Sequence, residues 1–137
     1  MAVIEELIRK DENGAISFGN YKLDTKTKVS DFEVNGDLYK VKTFEEITKL
    51  EKNGMFVYES VPGTAVHGFK VAENTVSFTV ESDKEPQITV ELEPETEYTI
   101  FIDGMNAGTM KTNLGGKLVL SVEVENGSSS EVKIVKC

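Results

Sequence analysis

Val76-Ser77-Phe78-Thr79-Val80-Glu81 puts an apolar residue at every second position, and Gln87-Ile88-Thr89-Val90-Glu91-Leu92 repeats the alternation a short way on. Side chains in a strand point alternately to the two faces of a sheet. A period of two therefore marks a strand with one dry face and one wet face. Working outward, Tyr98, Ile100 and Ile102 form the next row, and Leu118, Leu120, Val122 and Val124 follow. Val132 and Ile134 close the chain, while Val66–Val71 precedes the quoted stretch.

Turn chemistry separates these rows. Asp103-Gly104 is a two-residue hairpin signal, because both residues tolerate the positive φ of a tight turn. Asn113-Leu114-Gly115-Gly116 and Asn126-Gly127-Ser128-Ser129-Ser130 read as looser loops, and Asp103-Gly104-Met105-Asn106 reads as turn. Pro86 and Pro94 flank the strand at Gln87–Glu93, where a missing N–H is tolerated. About seven short, evenly spaced strands in residues 64–137 predict an immunoglobulin-like antiparallel β-sandwich. The class is all-β, with residues 1–63 as a smaller β-rich N-terminal unit packed on that module.

That first unit carries Asn13-Gly14, Asn35-Gly36 and Asn53-Gly54, three further hairpin-type pairs. They divide Val3–Arg9, Ala15–Leu23, Phe32–Val34, Leu38–Phe44, Ile47–Lys52 and Met55–Val61. Thr43-Phe44-Glu45-Glu46 also fits a helix capping box, with Phe44, Ile47 and Leu50 three apart. The direct run from Asn53-Gly54 into Met55-Phe56-Val57-Tyr58 favours strand over a short helix. A repeat at an offset of 37 residues aligns Thr27, Val29, Phe32 and Val34 with Thr64, Val66, Phe69 and Val71. It reads equally as two equivalent β units or as two strands of similar composition.

Composition narrows the functions. The chain has 137 residues, 39% hydrophobic and 28% charged, which suits one ordered domain or two very small ones. Its net charge is −9, a field that repels phosphate backbones and anionic lipid, so neither nucleic acid nor membrane is expected as a partner. No apolar run approaches the ~20 residues of a membrane span, and Met1-Ala2-Val3-Ile4-Glu5-Glu6 lacks the basic and apolar regions of a signal peptide. A cytoplasmic location is the expectation. The single cysteine, Cys137, is read as an inert exposed thiol.

Groups for catalysis are few. His67 is the only histidine, which excludes a multi-histidine metal site. No G-x-S-x-G elbow, G-x-G-x-x-G or phosphate-binding loop is present. Glu81, Asp83, Glu85, Glu91, Glu93, Glu95 and Glu97 crowd one stretch. They read as a wet strand face that resists edge-to-edge aggregation, with no calcium-loop spacing among them. A glycosidase would need two carboxyls facing each other across a cleft. No catalytic residue, metal ligand or cofactor is assigned.

Among the aromatics, Tyr21, Tyr39, Tyr58 and Phe101 are candidates to point outward. Phe101 is out of phase with Tyr98, Ile100 and Ile102. Tyr21, Tyr58 and Phe101 form the candidate interaction surface, toward a protein partner or a second copy, with carbohydrate as another ligand class. The edges of Ala15–Leu23 and Met55–Val61 are the expected places for strand pairing.

The run from Tyr98-Thr99-Ile100-Phe101-Ile102-Asp103-Gly104 through Gly108, Thr112-Asn113 and Gly115-Gly116 to Val122 resembles small β-sandwich tails appended to bacterial carbohydrate-active enzymes. Across its length, including Asn53–Tyr58 and Val61-Pro62-Gly63-Thr64, the chain also resembles short proteins of anaerobic Gram-positive bacteria often labelled endosialidase. That resemblance implies an accessory role in a polysaccharide-processing or phage-tail system. Sialidases clamp the sugar carboxylate with several arginines, and this chain has one, Arg9. The leading expectation is a non-catalytic sandwich module that binds protein or self-associates. The accessory role comes second and a glycosidase with paired carboxylates third.

Overall fold

The computed structural model describes residues 2–137. The alternating rows become strands, except that Val122 and Val124 lie past the end of theirs, which stops at Ser121. β1 (Ile8–Lys10) and β2 (Ile16–Phe18) are joined by a single 3-10 turn at Glu12–Gly14. β3 (Thr27–Val34), β4 (Asp37–Phe44), β5 (Ile47–Lys52) and β6 (Met55–Val61) follow as a meander. β7 (Ala65–Ala72), β8 (Thr75–Ser82) and β9 (Gln87–Glu91) lead to β10 (Glu97–Ile102) and β11 (Met105–Lys111). β12 (Lys117–Ser121) and β13 (Ser128–Lys136) end the chain. No helix among the described residues is long and apolar enough to cross a membrane.

The Asn-Gly and Asp-Gly pairs set the hairpin registers. Asn35-Gly36, Asn53-Gly54 and Asp103-Gly104 have φ of 52/87°, 52/77° and 51/82°. Positive φ at both central positions matches the right-handed twist of the strands they join. Thr43–Lys52 is strand, with Glu45-Glu46 as a two-residue turn between Phe44 and Ile47. Helical spacing of Phe44, Ile47 and Leu50 loses here to the hydrogen bonds that β5 makes on both sides, to β4 and β6.

Two antiparallel sheets form the sandwich. One has seven strands in the order β1-β2-β7-β8-β13-β10-β11, and the other six in the order β12-β9-β6-β5-β4-β3. The boundary at residues 63 and 64 is therefore a boundary in sequence only. The first half packs on the second by sharing its sheets: β2 pairs with β7, and β6 with β9. The seven strands of residues 64–137 divide five and two between the layers. Alone they would lack four strands of the facing sheet.

Between the sheets, Phe18, Tyr58, Phe69 and Phe78 meet edge to face or stacked, with ring centroids 5.3–6.3 Å apart. Such pairs add about 0.5–1.5 kcal/mol each beyond area burial. The phenol of Tyr58 is fully buried and lies 2.9 Å from the Thr64 hydroxyl. Ser60 Oγ also meets that hydroxyl, and the Thr64 N–H donates to Thr48 Oγ1. These buried hydroxyls satisfy one another and pin the crossover from β6 to β7 where it passes beneath Phe44. A Cβ at Gly63 would stand 2.0 Å from the Phe44 carbonyl oxygen, so only glycine fits.

The 37-residue repeat has a local cause. β3 and β7 each carry one extra residue against their hairpin partners, between Val29 and Phe32 and between His67 and Lys70. Asp31 and Gly68, equivalent in the repeat, both have positive φ, 56° and 64°. What recurs is a bulged strand beginning a hairpin. The two hairpins lie in opposite sheets, with β3 at an edge and β7 in an interior position.

Candidate functional site

Three regions concentrate polar groups, open space or unpaired backbone. The first lies on the outer face of the seven-stranded sheet, near β1. Glu81 belongs to the outward row of β8, opposite Ala65, yet it is only 3% exposed. The chain after β2 turns at Asn20, whose side chain accepts from the Lys22 N–H, and this turn lays Tyr21 over that row. The Tyr21 hydroxyl donates to Glu81 Oε2 at 2.6 Å. Glu81 Oε1 stands 3.6 Å from His67 Nε2, and neither of these buried atoms has a hydrogen-bond partner among the described residues. Beside them the Ser17 hydroxyl donates to Asp11 and accepts the Gly68 N–H, while Arg9 pairs with Asp11.

Burial pushes the His67 imidazole below its ordinary pKa of 6.5, against the opposing pull of the Glu81 carboxylate. The Tyr21 phenol is pushed above its ordinary range, first by burial and then by its bond to Glu81. A serine, a histidine and a glutamate lie close together here, but the bonding does not make a catalytic relay. The hydroxyl of Ser17 is committed to Asp11, and the imidazole and carboxylate are beyond hydrogen-bond distance. The cluster fastens Tyr21 and the chain around it onto the sheet.

The acidic stretch disperses into separate pairs. Asp83 takes Lys22 at 3.0 Å, Glu91 takes Lys117 at 2.5 Å and Glu93 takes Lys136 at 2.6 Å. Among the described residues no three histidine, cysteine or acidic side chains converge as a metal site would require.

The second region is an open cleft of about 640 Å³ at one end of the sandwich, floored by Gly63 and Ser82. Lys22 and Lys84 line it together with Glu45, Glu46 and Asp83. The signs mix, and Lys22 already pairs with Asp83. The lining selects no ligand charge.

The third region is the far edge of the seven-stranded sheet. β1 lies against β3 at one side of the sandwich, so the longer sheet projects past the shorter one at the other. β10 buries Tyr98 and Ile100, and β12 buries Leu118 and Leu120. β11 has nothing opposite it, and all seven of its residues are exposed. Met105, Gly108 and Met110 stand opposite Ile102, Ile100 and Tyr98 and so share their inward side. Met105 is 75% exposed and Met110 38%.

The outer backbone of β11 is free. Met110 and Gly108 turn their backbone polar groups toward β10, a phase fixed by the bond from the Thr112 N–H to the Thr96 carbonyl. Thr109 and Lys111 therefore turn theirs outward. From Gly104 to Val122 the sequence holds 19 residues without a carboxylate, the longest such run in a chain with 24 of them. The other three edges are protected differently. β1 has three residues with Arg9 and Lys10, β12 has five, and β3 is bulged and carries Lys28, Asp31 and Glu33. β11 has a bulge opposite Ile100 and Phe101 but a single charge, Lys111.

These positions correct the aromatic candidates. Tyr21 is 5% exposed and Tyr58 is 0%, because one is bonded to Glu81 and the other anchors the core. Phe101 does lie on the face opposite Tyr98, Ile100 and Ile102, half-buried beside Asn106 of β11 and Lys133 of β13. It lines a hollow of about 240 Å³ with Gly104, Glu131 and Lys133. The edges expected at Ala15–Leu23 and Met55–Val61 are interior: β2 is paired on both sides, and so is β6. Cys137 is exposed, with its N–H held by the Glu97 carbonyl.

β11 escaped the periodicity reading because Asn106-Ala107-Gly108 breaks its alternation. Two signals pointed to it. A hairpin turn at Asp103-Gly104 requires a returning strand, and the carboxylate-free run begins there. No family model, curated protein or solved structure matches the chain.

Proposed function

We propose that this protein is a non-catalytic β-sandwich interaction module that takes up an extended segment of protein along β11. One observation carries the reading: a seven-residue edge strand exposed on both faces, with outward N–H and C=O groups at Thr109 and Lys111 and little charge to repel a partner strand. Strand addition draws affinity from main-chain hydrogen bonds and specificity from alternate side chains. Here Met105 and Met110 would receive apolar side chains on the inward side, and Phe101 lies near the outer one. Methionine adapts to varied shapes, which suits a surface that accepts a strand.

The likeness of the last third to tails appended to carbohydrate-active enzymes fits the same role, as an accessory module holding a partner in a polysaccharide-processing assembly. The seven antiparallel strands of residues 64–137 match an immunoglobulin-like module in number only, since they divide five and two and share both sheets with the first half.

Selection from a library of displayed extended peptides tests the reading. Selected peptides should share alternating apolar positions, protect the amides of Thr109 and Lys111 from exchange, and lose binding to a Thr109→Pro variant. Selected peptides that protect the 640 Å³ cleft instead, or a selection that yields none, would overturn it.

A further inference from the structure

We infer that the strand received at this edge is β11 of a second copy of the same chain, so that two seven-stranded sheets join across a two-fold axis at Thr109. The inference rests on the strand-addition reading and names its partner.

Charge restricts where a second copy can join, and the strand register is what suits a copy. Two molecules of net charge −9 repel each other over most of their surfaces. They can close only where neither presents carboxylates, and the run from Gly104 to Val122 is the longest part of the chain that presents none. It carries Lys111 and Lys117, and both already face acids of their own molecule. Lys111 stands opposite Glu97 in the sheet, and Lys117 is bonded to Glu91. Each copy thus offers the other a neutral strand inside an acidic surround.

The register is fixed by which backbone groups are free. Thr109 points its N–H and C=O outward, so two antiparallel copies of β11 can exchange both hydrogen bonds between Thr109 and its equivalent. A two-fold at that residue sets the two threonines side by side, a favourable cross-strand pair. It also sets Met110 of each copy opposite Gly108 of the other, a long side chain over a residue with none. The Lys111 side chains lie beyond this centre and do not face each other. An isologous contact of this kind closes at two copies, because joining the pair uses the β11 edge of both.

Sedimentation velocity and light scattering on the full chain, from micromolar to millimolar concentration, test the inference. A concentration-dependent dimer is expected, with the Thr109 and Lys111 amides slowing in exchange as it forms. Thr109→Glu places two carboxylates opposite each other and should weaken the dimer about tenfold or more. Thr109→Pro removes only an outward N–H, which an edge strand tolerates, and should weaken it at least as much with the far-UV spectrum unchanged. If the proline variant does not fold, the glutamate variant alone carries the test. A chain monomeric at every concentration, or a dimer that the glutamate variant leaves intact, overturns the second copy as partner. Library peptides that still protect β11 would then leave the strand-addition reading standing. Their absence would end both.

Discussion

The two sides of this sandwich are built from similar strands and end differently. At the β1 side, strand lies over strand, and even the outer face is covered, where Tyr21 lies over Glu81 and His67. At the β11 side the seven-stranded sheet runs one strand past its partner, and β11 is bare on both faces. An inward apolar row is stabilising only when a second layer removes it from water. Phe18, in a strand of only three residues, is fully buried, while Met110, in a strand of seven, is 38% exposed. Strand length and pattern do not decide burial here; the facing layer does.

The largest test of the comparison removes that layer. Residues 64–137 keep five strands of one sheet and only β9 and β12 of the other. Phe69 would lose Phe18 and Tyr58, and Phe78 would lose Tyr58. We predict that this fragment does not fold, although its sequence reads as a nearly complete sandwich. Proton NMR checks it: a well-dispersed spectrum from the fragment would show that β3–β6 are dispensable. Within the full chain, Phe18→Ala should cost about 3–5 kcal/mol in urea denaturation, as for large aromatic truncations in a closed core.

Next in size comes the fastening of the covered outer face. Tyr21→Phe removes the donor to Glu81 Oε2 and leaves a carboxylate buried with less compensation. Hydrogen bonds to charged groups contribute about 1.5–3 kcal/mol, and a loss in that range is expected from urea midpoints. An unchanged midpoint would mean that water replaces the phenol freely and that this face is not closed.

Much of this was legible in the sequence, and the limits have physical causes. Alternation located β8, β9, β10, β12 and β13 because each has one dry face and one wet face. The Asn-Gly and Asp-Gly pairs located hairpin turns because few other residues adopt the needed φ. Tyr21 and Tyr58 are ambiguous in sequence because a tyrosine ends in a polar atom that suits either water or a buried partner. Their partners, Glu81 and Thr64, lie 60 and 6 residues away in sequence and only tertiary structure identifies them. The sharing of sheets between halves was equally hidden, since alternation says that a face is buried and not what buries it. β11 has no dry face in the single chain, so it left no alternating pattern to find.

A smaller effect follows from His67. Its folded-state pKa lies below the ordinary 6.5, so the unfolded chain binds its proton more readily. This group favours the neutral form in the fold, and stability falls as pH drops through 6.5 toward the lower folded value. Glu81, Tyr21 and Arg9 surround it from β8, the loop after β2 and β1. Urea midpoints from pH 8 to about 5.5 should decline for the wild type, and His67→Gln should flatten the curve. A steeper decline in the variant would reverse the sign.

The smallest effect on folding belongs to the open edge and separates it most sharply from the closed one. Met110→Ser removes an apolar side chain from the inward side of β11, where the single chain puts nothing against it. Surface substitutions away from packed features stay within about 0.5 kcal/mol, and that is the expectation for the monomer in dilute urea melts. Phe18→Ala also truncates the inward row of the same sheet, but at a strand that is paired on both sides and buried. If both cost several kcal/mol, β11 is packed and the two sides are alike. If Met110→Ser is silent in dilute melts yet lowers the midpoint at high protein concentration relative to the wild type, the missing layer or edge partner is supplied by another molecule. Stability that depends on concentration is the signature of a ligand that binds only the folded state. Comparing the variant at two concentrations therefore tests whether the exposure of β11 is a property of the monomer or of the working protein.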